Sequence, residues 1–144
     1  MKFLTRAIAL AVLCGATMAH AEGEPTDPTV QARVALMKSM GGAAKALGDM
    51  AGGKAGFDAA AAETAKTALV VASTDIAAKF EAQASDPASE AKPEIWTSWD
   101  DFVAKADALN AAASALDASS VEGIKAGMAA VGGACKACHT AYRM

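Results

Sequence analysis

Apolar side chains recur every three or four residues in four stretches of this chain, and that spacing predicts four amphipathic helices. The first runs from about residue 28 to residue 50, and the second from about 58 to 82. The third begins near residue 93, reaches about residue 116 and has the most regular apolar stripe. The fourth begins after residue 119. Alternation of β-branched and polar residues is scarce, so the pattern gives little support for strands.

Polar and conformationally special residues mark the predicted ends of these helices. Asp27 is suited to cap the first helix, and the Gly52-Gly53 pair is suited to end it. Ser119 and Glu122 have the S-x-x-E spacing of a capping box, which predicts the start of the fourth helix.

Four helices of about 20 residues with short connections predict an all-α chain folded as an antiparallel four-helix bundle. The longest connection, residues 83–93, is polar and has turn chemistry. Alanine and glycine are abundant, so the helices can pack closely but fill little volume. A large flat cofactor inside the bundle would supply the missing apolar bulk.

The opening residues have the pattern of a secretory signal peptide. Lys2 and Arg6 precede an apolar run that is too short for a strong membrane-spanning helix, and a small-residue cleavage signal ends at residue 21. We therefore predict a signal peptide over residues 1–21 and a mature domain over residues 22–144. Cys14 is lost with the signal, and the mature domain is expected in the periplasm without stable membrane insertion.

Removal of this signal makes an acidic chain more acidic. The full sequence has 13 Lys and Arg against 16 Asp and Glu, a formal charge of −3. Loss of Lys2 and Arg6 leaves 11 against 16, or −5. Such a domain has no basic patch for nucleic acid. An electron-transfer partner with a basic surface would suit it.

The strongest chemical signal is a C-x-x-C-H motif formed by Cys135, Cys138 and His139. A structural zinc site usually takes four Cys or His ligands, and the predicted mature chain offers these three. A thiol–disulfide oxidoreductase normally places C-x-x-C where a strand meets a helix, whereas this motif falls in a helical pattern. A disulfide between neighbouring turns would restrain the unfolded chain little.

Covalent haem attachment uses all three residues of the motif. On a helix, positions i, i+3 and i+4 share one face, so both thiols can form thioethers with one porphyrin while His139 faces the iron. C-x-x-C-H is the attachment signal of c-type haem, and attachment takes place outside the cytoplasm. We therefore predict one covalent haem c, with its iron, enclosed by the bundle.

Beyond this motif, the sequence resembles the class II cytochromes c, which are the cytochromes c′ and their low-spin relatives. Members carry C-x-x-C-H near the C-terminus of a four-helix bundle. The resemblance covers most of the predicted mature domain and is carried by ARVALMKSMGG (32–42), GFDAAA (56–61), KPEIW (92–96) and GGACKACHTAYR (132–143). The segment over residues 81–91 matches poorly.

The resemblance implies roles for individual residues. The two cysteines of the motif match the thioether cysteines, and His139 matches the proximal ligand of the iron. Arg33 and Arg143 match arginines near the haem propionates and the proximal side. Glu90 falls where some members place an acid that contacts the haem.

Met37, four residues after Arg33, matches the position that faces the distal side of the iron. In cytochromes c′ an apolar residue there leaves the iron five-coordinate and open to NO or CO. In the low-spin branch a methionine there binds the iron, and His/Met ligation favours electron transfer. The small Gly41-Gly42 pair resembles the low-spin branch, and Met40 lies a turn further along the same broad face.

The sequence therefore predicts a periplasmic single-electron carrier with a His/Met-ligated low-spin haem, which is not an enzyme. The alternative is a five-coordinate cytochrome c′ that binds NO or CO, and a more distant one is a thiol–disulfide oxidoreductase. Redox proteins of the periplasm are the expected partners. Many relatives form homodimers through their first two helices, and the small residues 41–44 would permit such contact.

Overall fold

The computed structural model describes residues 23–144, and the predicted signal peptide over residues 1–21 lies outside them. The described part of the chain is mostly helical and forms six helices: α1 (Pro28–Ala51), α2 (Ala59–Thr74), α3 (Ile76–Phe80), α4 (Glu94–Thr97), α5 (Trp99–Ala115) and α6 (Val121–Tyr142). None of these six helices is both long enough and apolar enough to cross a membrane.

The four long helices form a closed ring. α1 packs against α2 and α6, and α5 also packs against α2 and α6. Short connections join α1 to α2 and α5 to α6, so the helices of each pair run antiparallel. The predicted fold, an all-α antiparallel four-helix bundle, is confirmed.

Two predicted helices are each divided in two. The stretch predicted as one helix over residues 58–82 is interrupted at Asp75, between α2 and α3. The hydroxyls of Ser73 and Thr74 donate to carbonyls three residues earlier, and such side-chain bonds compete with the helical ladder. The third predicted helix is interrupted at Ser98, whose φ of −127° and ψ of 45° are not helical.

The caps of the first and last helices are set by side-chain oxygens. Asp27 accepts hydrogen bonds from two N–H groups of the first turn of α1, which confirms its predicted role. The prediction that Ser119 caps the last helix is wrong by one residue. Ser120 is the cap and accepts from the N–H of Gly123 at 3.1 Å, whereas the N–H of Ser119 donates to Asp117.

The core lies between the four long helices and is densest around Phe102. The ring of Phe102 contacts those of Phe80, Trp99 and Tyr142, with centroids 5.3, 5.5 and 5.4 Å away. The apolar stripe predicted for the third helix is confirmed by its buried members, which are Ile95, Phe102, Ala106, Leu109, Ala113 and Leu116.

Residues 81–93, between α3 and α4, form a connection that we call the strap. Asp86 in the strap accepts hydrogen bonds from the N–H groups of Thr26 and Asp27 at 2.8 and 2.9 Å. Together with the N–H of Ala88, these donors lower the pKa of Asp86 to about 2, and the largest effect is that of Asp27. The strap is therefore tied to the segment that leads into α1.

The second half of the strap pairs with the end of α6 in a short antiparallel bridge. The N–H of Lys92 donates to the carbonyl of Tyr142 at 3.0 Å, and the N–H of Met144 donates to the carbonyl of Glu90 at 2.9 Å. The strap thus joins the two ends of the described chain.

A close approach between α6 and the end of α5 leaves no room for a side chain at Gly127. A Cβ atom built there would lie 2.8 Å from Cγ of the buried Leu116 and 3.1 Å from its Cα. We expect Gly127→Ala to lower the free energy of unfolding by about 1–3 kcal/mol, because the core has to shift to admit the methyl group. Urea unfolding measures this loss.

Gly132→Ala is the matched control on the same helix, because nothing lies within 4 Å of a Cβ built at Gly132. We expect this variant to be at least as stable as the parent, since alanine exceeds glycine in helix propensity by about 1 kcal/mol. Equal unfolding free energies for the two variants would contradict the close approach of α6 to Leu116.

Candidate functional site

A cavity of about 580 Å³ opens among the helices and the strap. This volume is in the range of sites that bind cofactors and other small molecules. Most of its lining is apolar and comes from several helices, including Val30, Leu69, Ile76, Phe80, Ile95, Phe102 and Leu109. The cavity is the space that the small residues of the helices leave unfilled.

Every residue that the sequence singled out for the site borders this one cavity. α1 contributes two of them and α6 three, while the strap and the residue after α6 contribute one each: Arg33, Met37, Cys135, Cys138, His139, Glu90 and Arg143. The structure therefore brings together side chains that lie more than 100 residues apart along the chain.

The two cysteines lie on one face of α6 and are free thiols. Burial is the main cause that raises the pKa of both Cys135 and Cys138. A redox-active cysteine has a lowered thiol pKa, because the thiolate is the reactive form. The environment of these thiols is thus the opposite of the one that a thiol–disulfide oxidoreductase provides.

His139 borders the cavity one residue after Cys138. Although His139 is exposed, its partial burial is the largest effect on its pKa and lowers it, and the positive charge of Arg143 lowers it further. The nearby Glu90 opposes both effects. A lowered pKa keeps the imidazole neutral, and the neutral form has the lone pair that a metal ion binds.

The α1 wall places two thioethers at the cavity, not one. Met37 is partly buried there, and Met40, which is 7% exposed, also borders the cavity while packing into the core. Gly41, which has no side chain, borders the cavity beside them. The sequence pattern had separated Met40 from the site by a turn, but the cavity reaches both residues.

Arg33 is a buried cation in the cavity wall, with only 3% of its surface exposed. Its Nε donates to the carbonyl of Lys79 at 3.0 Å, and its Nη2 donates to the carbonyl of Ala82. The guanidinium also lies over the rings of Phe80 and Trp96, at 5.0 and 5.3 Å from their centroids.

One nitrogen of this guanidinium makes no hydrogen bond to the described residues. Among residues 23–144, the buried Nη1 of Arg33 has no hydrogen-bond partner. Burial lowers the pKa of Arg33, and the negative charge of Asp27 opposes that effect. A buried donor without a partner is costly, so a carboxylate supplied by an occupant of the cavity would stabilise this wall.

Arg143 and Glu90 form an ion pair at the edge of the cavity. Both side chains are about half exposed, and the hydrogen bond from Arg143 lowers the pKa of Glu90. The strap had matched poorly to the family in the sequence, and the structure shows that its pairing with the end of α6 places Glu90 here.

The described residues fit a covalent haem. The cavity is apolar, its α6 wall presents two thiols and a neutral imidazole, and its α1 wall presents thioether sulfur. The unpartnered Nη1 of Arg33 suits a carboxylate such as a haem propionate. Lys105 also lines the cavity, and only helical spacing in the sequence could have indicated it.

Comparison with known proteins indicates the family of this chain. Residues 28–143 match the family model described as Cytochrome C′. The chain is 33% identical over 147 residues to a cytochrome c-556 from Agrobacterium fabrum, a match that covers 100% of this chain and 96% of the relative.

Solved structures of similar proteins share the fold. A cytochrome c′ from Rubrivivax gelatinosus has a TM-score of 0.71 and 29% identity, covering 81% of this chain and 94% of that chain. A nitric oxide complex of a variant cytochrome c′ from Alcaligenes xylosoxidans has a TM-score of 0.70 and 28% identity, covering 80% of this chain and 93% of that chain.

The family match spans nearly all the described residues and includes the attachment motif. Proteins of this family are periplasmic and bind haem c covalently, with its iron. The chain therefore belongs to the cytochrome c′ family, the class II cytochromes c, and its cofactor is covalent haem c.

Proposed function

We propose that the protein is a periplasmic single-electron carrier whose haem iron is ligated by His139 and Met37. The observation that carries this proposal is that the two side chains border one cavity from two different helices, α6 and α1. His139 would supply a nitrogen ligand and Met37 a thioether sulfur ligand to the iron of a bound haem.

Cys135 and Cys138 would fix the cofactor to α6. Each cysteine would hold the haem through one thioether bond, the product of net addition of its S–H group to a vinyl group. Because these cysteines and His139 share one face of α6, attachment also places the imidazole beside the iron.

The chain sets the properties of the cofactor, and bound haem supplies an iron that accepts and releases one electron. Thioether ligation from Met37 favours the reduced state and raises the reduction potential. The apolar wall excludes water from the site and acts in the same direction. Arg33 would bind a propionate through Nη1, and Arg143 adds positive charge at the cavity edge near His139.

A second candidate function is binding of nitric oxide by a five-coordinate haem. It is supported by the nitric oxide complex among the similar structures. In that case Met37 would pack against the wall without binding the iron, as methionine commonly does in cores.

The spectrum of the purified holoprotein separates these two candidates. For the electron carrier we expect a sharp ferrous α band that CO leaves unchanged, together with a ferric iron–thioether charge-transfer band. A broad high-spin spectrum that shifts when CO is added would contradict ligation by Met37 and support the gas-binding candidate. Haem that comes away in acid–acetone would contradict attachment by the two cysteines.

We further propose that residues 1–21 are a signal peptide removed on export and that residues 22–144 are the mature domain. The acidic mature domain suits a redox partner with a basic surface. The same proposal allows a homodimer through α1 and α2, where Gly41 and Gly42 are exposed.

A further inference from the structure

The strap is a loop whose two ends are held together. Phe80 ends α3 just before the strap, and Trp96 lies in α4 just after it. The indole Nε1 of Trp96 donates to the carbonyl of Phe80 at 2.7 Å. The guanidinium of Arg33 lies over both aromatic rings, so one α1 side chain contacts both ends of the strap.

Arg33 also binds the backbone where the strap begins. Its two hydrogen bonds go to the carbonyls of Lys79 and Ala82, at the end of α3. Carbonyls at the end of a helix have no partner inside it, and a positive charge is favourable there. Arg33 is therefore a positioning residue for the strap, and the orientation of its guanidinium depends on where the strap lies.

The same guanidinium can also donate a hydrogen bond into the cavity. Arg33 borders the cavity, and within the described chain its buried Nη1 has no partner. Its Nε and Nη2 thus bind one carbonyl of α3 and one of the strap, and its Nη1 is available to an occupant of the cavity. Because the guanidinium is planar and rigid, its three nitrogens move together, so a bond at one nitrogen limits where the other two can lie.

We propose that Arg33 couples closure of the strap to the carboxylate of a cofactor in the cavity. The inference rests on the proposed placement of the haem in this cavity and does not depend on whether Met37 binds the iron. A propionate bound at Nη1 would help to hold the guanidinium in the plane that the carbonyls of Lys79 and Ala82 require. A closed strap in turn holds Nη1 in place for the propionate, since such coupling is reciprocal.

The strap has other contacts that allow the coupling to be tested from its opposite end. Asp86 binds the N–H groups of Thr26 and Asp27 and makes no contact with Arg33 among the hydrogen bonds of the described residues. The amides of Lys92 and Met144 report closure, because their hydrogen bonds join the strap to the end of α6.

The experiment measures two quantities in the haem-bearing protein: hydrogen exchange at the amides of Lys92 and Met144, and the resonance Raman band of propionate bending. In Arg33→Met we expect the band to shift and both amides to exchange about tenfold faster, since hydrogen bonds from a charged donor are lost. In Asp86→Ala, which opens the strap from its far side, we expect faster exchange and a band shift in the same direction.

Lys38→Met is the matched control. Lys38 is also a cation of α1 at the cavity, but it is exposed and pairs with Glu24. Neither quantity should change in this variant. The inference is overturned if Asp86→Ala speeds exchange without moving the band, if Arg33→Met moves the band without speeding exchange, or if Lys38→Met reproduces both changes.

The haem itself is monitored separately, so the two proposals can fail independently. The iron spectrum shows whether His139 and Met37 bind, and acid–acetone treatment shows whether the haem is covalent. A five-coordinate spectrum together with coupled exchange and band shifts would refute ligation by Met37 and retain the coupling. A six-coordinate spectrum, with amide exchange and the propionate band changing independently, would support ligation by Met37 and refute the coupling.

Discussion

Replacement of Met37 by leucine is expected to remove the iron–thioether band from the ferric spectrum and to let CO bind the ferrous haem. Leucine has nearly the same volume as methionine, so packing in the α1 wall changes little. It has no lone pair, however, and the iron loses its sixth ligand. The reduction potential should fall, because the soft sulfur that favours the reduced iron is gone.

Met40→Leu is the matched control for this prediction. Met40 borders the same cavity three residues further along α1, but it is more buried and packs into the core. We expect its spectrum to keep the thioether band and to remain insensitive to CO. If Met40→Leu loses the band while Met37→Leu keeps it, the ligand is Met40 and the assignment of Met37 is wrong.

The double variant Cys135→Ala/Cys138→Ala is expected to lose covalent haem and most of its fixed tertiary structure. Without haem, the largely apolar wall of this cavity would be exposed to water unless the helices close in. Such exposure removes part of the free energy of unfolding, which is only about 5–15 kcal/mol for a whole domain.

Three measurements check this second prediction. Acid–acetone extraction tests for covalent haem, near-ultraviolet circular dichroism for fixed packing, and far-ultraviolet circular dichroism for helix. We expect no haem to remain bound after extraction and the near-ultraviolet signal to disappear. Much of the far-ultraviolet helix signal should remain, as in compact states without specific packing. Each single cysteine variant should keep one thioether and therefore keep its colour after extraction.

Lys136→Ala is a control within the same motif, because Lys136 lies between the cysteines and is exposed. It should keep the haem and both circular dichroism spectra. A double cysteine variant that still carries haem after extraction would show that attachment uses other residues. A colourless variant with unchanged near-ultraviolet spectrum would show that the haem does not support the core.

The sequence was most informative where helical spacing alone decides which side chains come together. Cys135, Cys138 and His139 share a helix face because of the 3.6-residue period, and Arg33 and Met37 share another for the same reason. Their assignment to one cavity came from the family resemblance, and the structure places all of them there. Their chemical roles remain predictions that the variants above test.

Features that depend on long-range contacts could not be predicted from the sequence. Nothing local indicates that Asp86 binds the backbone of Thr26, or that the strap pairs with the end of α6, because both contacts join segments at least 50 residues apart. The sequence pattern also could not predict which of two competing local hydrogen bonds forms. Either serine could cap α6, and the bond from the N–H of Ser119 to Asp117 leaves Ser120 as the cap.

The bridge between the strap and the end of α6 is made by main-chain groups, with the N–H of Lys92 and the carbonyl of Glu90 as strap partners. Main-chain bonds of this kind tolerate replacement of neighbouring side chains. Ala88 and Ser89 border the cavity from this loop and can therefore diverge without disturbing the helices. Sequence drift at these two positions, or their deliberate redesign, offers a way to change the rim of the haem cavity while the bundle is left intact.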